Sequence, residues 1–199
     1  MRVKVKIEMI GLTKPRVWRE MWIPMDITFH KFHMLIQAGM GWKNYHLYQF
    51  GESRNSRYFI IKSPYAEDMS GVDARKVKVE EFLMAYFNDV NMAKAMGRIP
   101  NERMYYTYDY GENWEHSIEI LDFERSDIWR AELTDGAGAC PPEDCGGVPG
   151  YQNLIKTLSS GKMREKDELR QWLNDCGYRD FDPSVFDMEA AMFRVRKVR

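Results

Sequence analysis

Residues 104–120 read MYYTYDYGENWEHSIEI, and the reading of this stretch decides the fold. Met104-Tyr105-Tyr106-Thr107-Tyr108 and Glu115-His116-Ser117-Ile118-Glu119-Ile120 are two strand-forming runs. Between them Asp109-Tyr110-Gly111-Glu112-Asn113 is a short turn containing glycine. That arrangement predicts an antiparallel β-hairpin.

Upstream, residues 2–9 alternate, with Val3, Val5, Ile7 and Met9 on one face and Arg2, Lys4 and Lys6 on the other. This period of two predicts a half-buried strand. After a turn at Lys14-Pro15, Val17, Met21 and Ile23 alternate with Trp18 and Trp22, and apolar bulk on both faces predicts a central strand. Thr28 is placed to cap a helix through its hydroxyl. Phe29, Phe32, His33 and Ile36 then follow at helical spacing, with Gly39 or Gly41 to end the run. Further strands are expected at 45–50 and 57–62, a helix at 79–87, and a turn or two of helix within 91–98.

Downstream, Ile128 to Leu133 is expected to form another strand. Residues 135–150, DGAGACPPEDCGGVPG, carry too much Gly and Pro for regular structure. Helices are expected at 151–159 and 164–175, the second stopped by Gly177, and Phe181-Asp182-Pro183-Ser184 opens a final element expected to be helical through about residue 193. Strands therefore come first and helices last, without βαβ alternation. The class is α+β, a single domain over 1–199 with a mostly antiparallel sheet, helices packed on it, and a helical C-terminal third. The expected core includes Trp18, Phe32, Ile36, Trp42, Leu47, Phe50, Tyr108, Trp114 and Ile118.

The chain has 199 residues, 44% hydrophobic and 30% charged, the balance of a globular protein. No stretch approaches the ~20 apolar residues of a membrane-spanning helix, and the charged N-terminus lacks a signal-peptide core. A cytoplasmic, soluble protein with no membrane partner is expected. A net charge of −1 supplies no general field for nucleic acid. The basic run from Arg194 to Arg199 reads as a solvated tail. A protein or small-molecule partner is therefore expected ahead of non-specific nucleic acid.

Two segments could carry chemistry. Tyr108 to His116 concentrates Asp109, Glu112, Glu115, Trp114 and His116 around one turn, and a carboxylate beside an imidazole serves acid–base catalysis or metal ligation. Asp at a turn start also caps backbone N–H groups, so a structural role competes. Cys140-Pro141-Pro142-Glu143-Asp144-Cys145-Gly146-Gly147 places two thiols four residues apart, wider than a zinc knuckle and without a second pair. Buried thiols are expected there, no metal and no cofactor. Among the histidines, His33 sits on an apolar helix stripe and reads as core, His46 falls in a strand of undetermined register, and His30 reads as exposed.

In this order, these segments resemble the plasmid ORF-3-like family, named for an open reading frame on a root-inducing plasmid. The likeness rests on Pro15-Arg16-Val17-Trp18-Arg19, the helix with His33, Gly41-Trp42 and His46-Leu47-Tyr48-Gln49-Phe50. It continues through Tyr108 to His116, Cys140 to Gly147, Gly150-Tyr151, Trp172 and Phe181-Asp182-Pro183. Tyr110 and Glu112 stand where the family more often has Phe and Asp. The resemblance implies a compact α+β fold and brings no established activity. It also marks Arg19, Asp109, His116, Glu143 and Asp144 as the family's polar positions. Some relatives carry a resolvase label, but neither a nucleophilic Ser among arginines nor a helix-turn-helix is found here.

Three readings follow. The first is a non-enzymatic binding or accessory module, linked to plasmid or mobile-element biology, that presents the 135–150 loop and the hairpin turn. The second is a metal-dependent or hydrolase-like enzyme in which Asp109, His116, Glu143 and Asp144 converge. The third is that all these residues are structural. The residues to watch are Arg19, His46, Asp109, Glu112, Trp114, His116, Cys140, Glu143, Asp144 and Cys145.

Overall fold

The computed structural model describes residues 1–52, 54, 60–84 and 103–198. The strands are β1 (Arg2–Met9), β2 (Trp18–Pro24), β3 (Tyr48–Gly51), β4 (Ile60–Lys62), β5 (Val72–Asp73), β6 (Arg103–Tyr108), β7 (Trp114–Glu124) and β8 (Glu132–Ala137). They form one sheet in the order β5-β4-β3-β6-β7-β1-β2-β8. Every pairing is antiparallel except β4 with β5. The helices are α1 (Phe29–Met40), α2 (Gly147–Ser160), α3 (Met163–Asp175) and α4 (Met188–Lys197), and residues 79–84 are also helical. The architecture is thus α+β, mostly antiparallel, with helices gathered at the C-terminal end.

Alternation in β1 sets which face is covered. Val3, Val5, Ile7 and Met9 are at most 2% exposed, whereas Lys4 and Lys6 are half-buried on the opposite face. Met21 and Ile23 of β2 join the inner face. Against it lies α1, capped by the Thr28 hydroxyl accepting from Lys31 N at 3.2 Å. Gly41 ends the helix at φ 101°, a left-handed conformation that costs glycine nothing and other residues ~1–2 kcal/mol. Phe29 meets Phe50 edge-on at 4.9 Å, and Phe32 stacks on Phe50 at 5.5 Å. Such aromatic pairs, buried on a sheet face, account for much of the core.

The outer face of β2 differs from expectation. Trp18 is half-buried, with the Lys6 ammonium 4.3 Å from its ring, and Trp22 lies under the Arg2 guanidinium at 5.4 Å. β2 is paired on both edges as expected, yet its second face is covered by cationic side chains rather than by a second layer. Leu47 is likewise only half-buried, because it precedes β3 rather than lying in it. The other seven expected core residues are buried.

Further corrections have local causes. The strand expected at 128–133 lies at Glu132–Ala137, where pairing with β2 places Trp18 opposite Ala137 and Trp22 opposite Glu132. Ile128 and Trp129 are exposed, so β-propensity yielded to the available partner. The segment expected to be irregular from 135 therefore begins as strand and narrows to 138–146. Within β8 only glycine fits at 136, since a Cβ there would sit 2.5 Å from Phe186 and 3.0 Å from Arg19. The last helix starts at Met188, capped by Asp187, and includes most of the basic run. Val195 is 2% exposed and Arg194 Nε donates to Ala38 O at 2.8 Å, so this end of the chain is docked on α1 rather than solvated. His30 is half-buried, its Nδ1 2.7 Å from the Tyr48 hydroxyl. The expected helix within 91–98, and the expected ends at 57–59 and 85–87, lie outside the described residues. Among the described residues no helix is long and apolar enough to cross a membrane.

Candidate functional site

Three loops meet where β3, β6 and β7 end: residues 41–47, the hairpin turn 109–113, and 138–146. The first loop is fixed by a closed ring of hydrogen bonds. Gln37 Nε2 donates to the Tyr106 hydroxyl at 3.1 Å, which lies 2.9 Å from His33 Nδ1. His33 Nε2 lies 2.7 Å from Asn44 Oδ1, and Asn44 N donates to Gln37 Oε1 at 3.1 Å. Because Asn44 offers an acceptor, His33 carries its proton on Nε2 and receives the tyrosine proton on Nδ1. Burial holds its pKa down to about 3, so it stays neutral, stacked 3.5 Å from Tyr48.

The second loop leaves β6 at Asp109. Its N–H donates to Leu47 O at 2.9 Å, and its Oδ1 accepts from Gly111 N at 2.9 Å. Asp109 Oδ2 is left facing His46. The third loop is carried inward by Pro141 and Pro142, both buried. Trp42 Nε1 donates to Pro141 O at 3.0 Å. Glu143 Oε1 accepts from Lys43 N at 2.9 Å and from the Tyr108 hydroxyl at 3.0 Å, and Glu143 N donates to the Tyr178 hydroxyl at 3.0 Å. Its carboxyl is raised above the usual range, chiefly by burial. Asn44, Asp109 and Asp144, one in each loop, all hold left-handed backbone near φ 56–58°. Asn and Asp tolerate that region better than other non-glycine residues.

At the centre stands His46. Its Nε2 is 3.4 Å from Asp144 Oδ1, 3.8 Å from Asp109 Oδ2 and 3.8 Å from Glu143 Oε2. That nitrogen is buried and makes no hydrogen bond among the described residues. One atom from each of His46, Asp109 and Asp144 falls within 4.8 Å of the others. A hydrogen bond would need ~2.7–3.2 Å, so these gaps are too long for direct pairing. Donors ~2.1 Å from a common divalent ion stand ~3–3.4 Å apart; the gap to Asp144 matches this, and the gap to Asp109 is a few tenths of an ångström wider.

The remaining sequence candidates surround this group or stand away from it. His116 is fully buried on the inner face, with Nδ1 3.3 Å from Tyr106 O and Trp42 packed edge-on at 5.4 Å. Burial lowers its pKa to about 4. It does not join the carboxylates, and its alternation with Trp114 and Ile118 was the signal that it shares their face. Trp114 is 1% exposed and donates through Nε1 to Glu112 Oε2 at 2.9 Å, while Glu112 Oε1 accepts from Gly146 N. Glu112 thereby laces the hairpin turn to the third loop. Arg19, 1% exposed, gives its protons to Gly39 O, Trp18 O, Ala137 O and Gly138 O at 2.7–3.0 Å. Its guanidinium lies 3.7 Å from the Phe186 ring, and burial lowers its pKa to about 10. It clamps the end of α1 to the start of the third loop.

Cys140 and Cys145 are unpaired thiols, half-buried. Burial pushes Cys145 up to about 12 and Cys140 higher still. Neither belongs to the histidine–carboxylate group. The roles absent from the sequence reading are those of Tyr108, whose hydroxyl donates to Glu143, Tyr178, whose hydroxyl accepts from Glu143 N, and Tyr110, whose buried hydroxyl has no partner among the described residues.

Fold and site together define an α+β sheet protein with a histidine–carboxylate cluster at one end of the sheet. The chain belongs to the plasmid pRiA4b ORF-3-like family, whose model matches residues 1–190. It is 32% identical over 185 residues to an uncharacterized protein, y4hQ, of Sinorhizobium fredii (strain NBRC 101917 / NGR234), covering 92% of this chain and 84% of that protein. The crystal structure of a protein of unknown function, MM3350 from Methanosarcina mazei Go1, is similar at a TM-score of 0.72 and 28% identity. That match covers 94% of this chain and 96% of the other.

Proposed function

We propose that this protein binds one divalent metal ion through His46, Asp109 and Asp144, with Glu143 placed beside it as a base for hydrolytic chemistry. The observation that carries this reading is the buried, unpartnered His46 Nε2 facing three carboxylates at 3.4–3.8 Å. Asp109 and Asp144 bring ligand oxygens within 4.8 Å of each other and of the histidine nitrogen, and a cation among them would offset their repulsion. One imidazole with carboxylate oxygens suits Mn2+, Fe2+ or Zn2+ better than a thiolate-preferring ion. Such an ion would supply a water of lowered pKa, and Glu143, whose Oε2 lies 3.8 Å from His46 Nε2, would serve as the base. The reading departs from the expectation of no metal, which rested on the cysteine spacing; the ligands proposed lie elsewhere. It also puts His46 in the role that sequence reasoning offered to His116.

The test is calorimetric titration of metal-stripped protein with Mn2+, followed by the same titration of His46→Ala and His116→Phe. One ion should bind the parent and His116→Phe, while His46→Ala should lose binding. Failure of the parent to bind Mn2+, Fe2+ or Zn2+ sinks the proposal.

A further inference from the structure

A cavity of about 350 Å3 opens at Asp144 between α2 and α3. Asp144 is therefore shared between this cavity and the histidine–carboxylate group. The other walls include Cys145, Leu154, Thr157, Leu169 and Trp172. Leu154 is 4% exposed, so the cavity floor is part of the core. Among the described residues no Lys or Arg lines it. A larger cavity of about 610 Å3, around Leu158, Leu173 and Phe181, shares no residue with the group.

Charge narrows what could occupy the smaller cavity. Asp109, Glu143 and Asp144 bring three negative charges beside a single imidazole. One divalent ion leaves that set net negative. Lys43, in the same loop as His46, directs its ammonium to Cys176 O at 2.9 Å, and among the described residues no Lys or Arg pairs with these three carboxylates. A phosphate or carboxylate substrate would thus meet repulsion, with no guanidinium or ammonium among the described residues paired there to offset it. A neutral carbonyl group would not.

We infer that the substrate is a neutral ester or amide, with its carbonyl at His46, Asp109 and Asp144 and a phenyl-sized apolar group in the Leu154–Leu169–Trp172 cavity. This inference rests on the metal-binding reading and adds the substrate class to it. In the reaction the oxygen of water bonds to the carbonyl carbon and the C–O or C–N bond breaks. The water's proton passes to Glu143 and from there to the departing alcohol or amine. The cavity volume sits at the small end of ligand pockets and fits one ring or branched alkyl group.

Hydroxamates report on such a site, because they hold a metal through two oxygens and present a neutral acyl side group. Mn2+-loaded protein is titrated with acetohydroxamate, phenylacetohydroxamate and phenylphosphonate. Phenylacetohydroxamate should bind at least about tenfold more tightly than acetohydroxamate, the return on burying a phenyl group, and phenylphosphonate most weakly. Thr157→Trp, which fills the cavity, should remove the phenyl preference, and its Mn2+ stoichiometry reports whether it is folded. Equal affinity for the two hydroxamates, a phenyl preference that survives Thr157→Trp, or tightest binding of phenylphosphonate overturns the substrate class while leaving metal binding in place. Absence of Mn2+, Fe2+ and Zn2+ binding by the parent is the separate failure, that of the metal reading, and the inference falls with it.

Discussion

The Tyr108 hydroxyl donates to Glu143 Oε1 at 3.0 Å, joining the last residue of β6 to a buried carboxylate 35 positions further along the chain. The Tyr108 hydroxyl oxygen also accepts from Tyr45 N at 3.0 Å and His46 N at 3.4 Å. One phenol therefore holds two of the three loops that build the site, and its removal has a measurable consequence.

Tyr108→Phe keeps the ring against Trp42, whose centroid is 4.7 Å away, and removes only the oxygen. The expected stability loss is ~1–3 kcal/mol, since Glu143 and two backbone N–H groups lose a partner. Mn2+ affinity should fall ~10–100-fold, as for other residues that orient a metal ligand. Urea unfolding and Mn2+ titration of the same sample check the two effects. Unchanged affinity would mean that Tyr108 does not position the site.

Stability should fall as the solution is acidified below the ordinary histidine range. His116 is neutral in the folded protein with its pKa lowered to about 4 by burial, against ~6.5 when unfolded. Above that unfolded value the group contributes nothing to the pH dependence. Below it the unfolded chain takes up a proton that the folded chain refuses, so stability declines until the pH reaches the folded value. At pH 5 the expected cost from this residue is ~2 kcal/mol relative to pH 7.5. His116→Phe should flatten that part of the slope in urea unfolding; an unchanged slope would place the acid sensitivity elsewhere.

Arg19→Met leaves Gly39 O, Ala137 O and Gly138 O without their donor inside the protein. A destabilisation of at least ~3 kcal/mol is expected, the scale of several buried acceptors losing partners at once. Thermal unfolding measures it. A melting midpoint within a degree or two of the parent would show that water replaces the guanidinium at little cost.

Cys140 and Cys145 should alkylate slowly in the native state at pH 8, because burial holds both thiols well above that pH. Denaturant should accelerate the reaction, and a chelator should leave it unchanged, since neither sulfur belongs to the proposed ligand set. Mass spectrometry after iodoacetamide treatment distinguishes these cases. Rapid labelling on adding chelator alone would move the metal site to the cysteines.

How much of this was legible depended on the range of the interaction involved. The turn Asp109 to Asn113 and the strands beside it follow from neighbours a few residues apart. So does α1, which Thr28 starts and Gly41 ends. The position of β8 was not legible, because the competing apolar run at Ile128 and Trp129 has equal local merit and only pairing with β2 decides between them. Part of the site could have been read: His116 alternates with Trp114 and Ile118, which assigns it to the core face.

By itself the sequence determined the hairpin, the capped helix, the α+β class and the family, all from local periodicity, turn chemistry and the order of motifs. Only the tertiary structure decided that His46, rather than His116, faces Asp109, Glu143 and Asp144. These four residues lie in three loops, and no local rule brings them together. The His33–Asn44–Gln37–Tyr106 ring fixes the first loop, Tyr108 ties it to the third, and the link from Glu112 to Gly146 N ties the third to the hairpin turn. Each of those contacts depends on the packed sheet already holding its donors and acceptors in place, which is why the residues of the site could be named from the sequence but not their grouping.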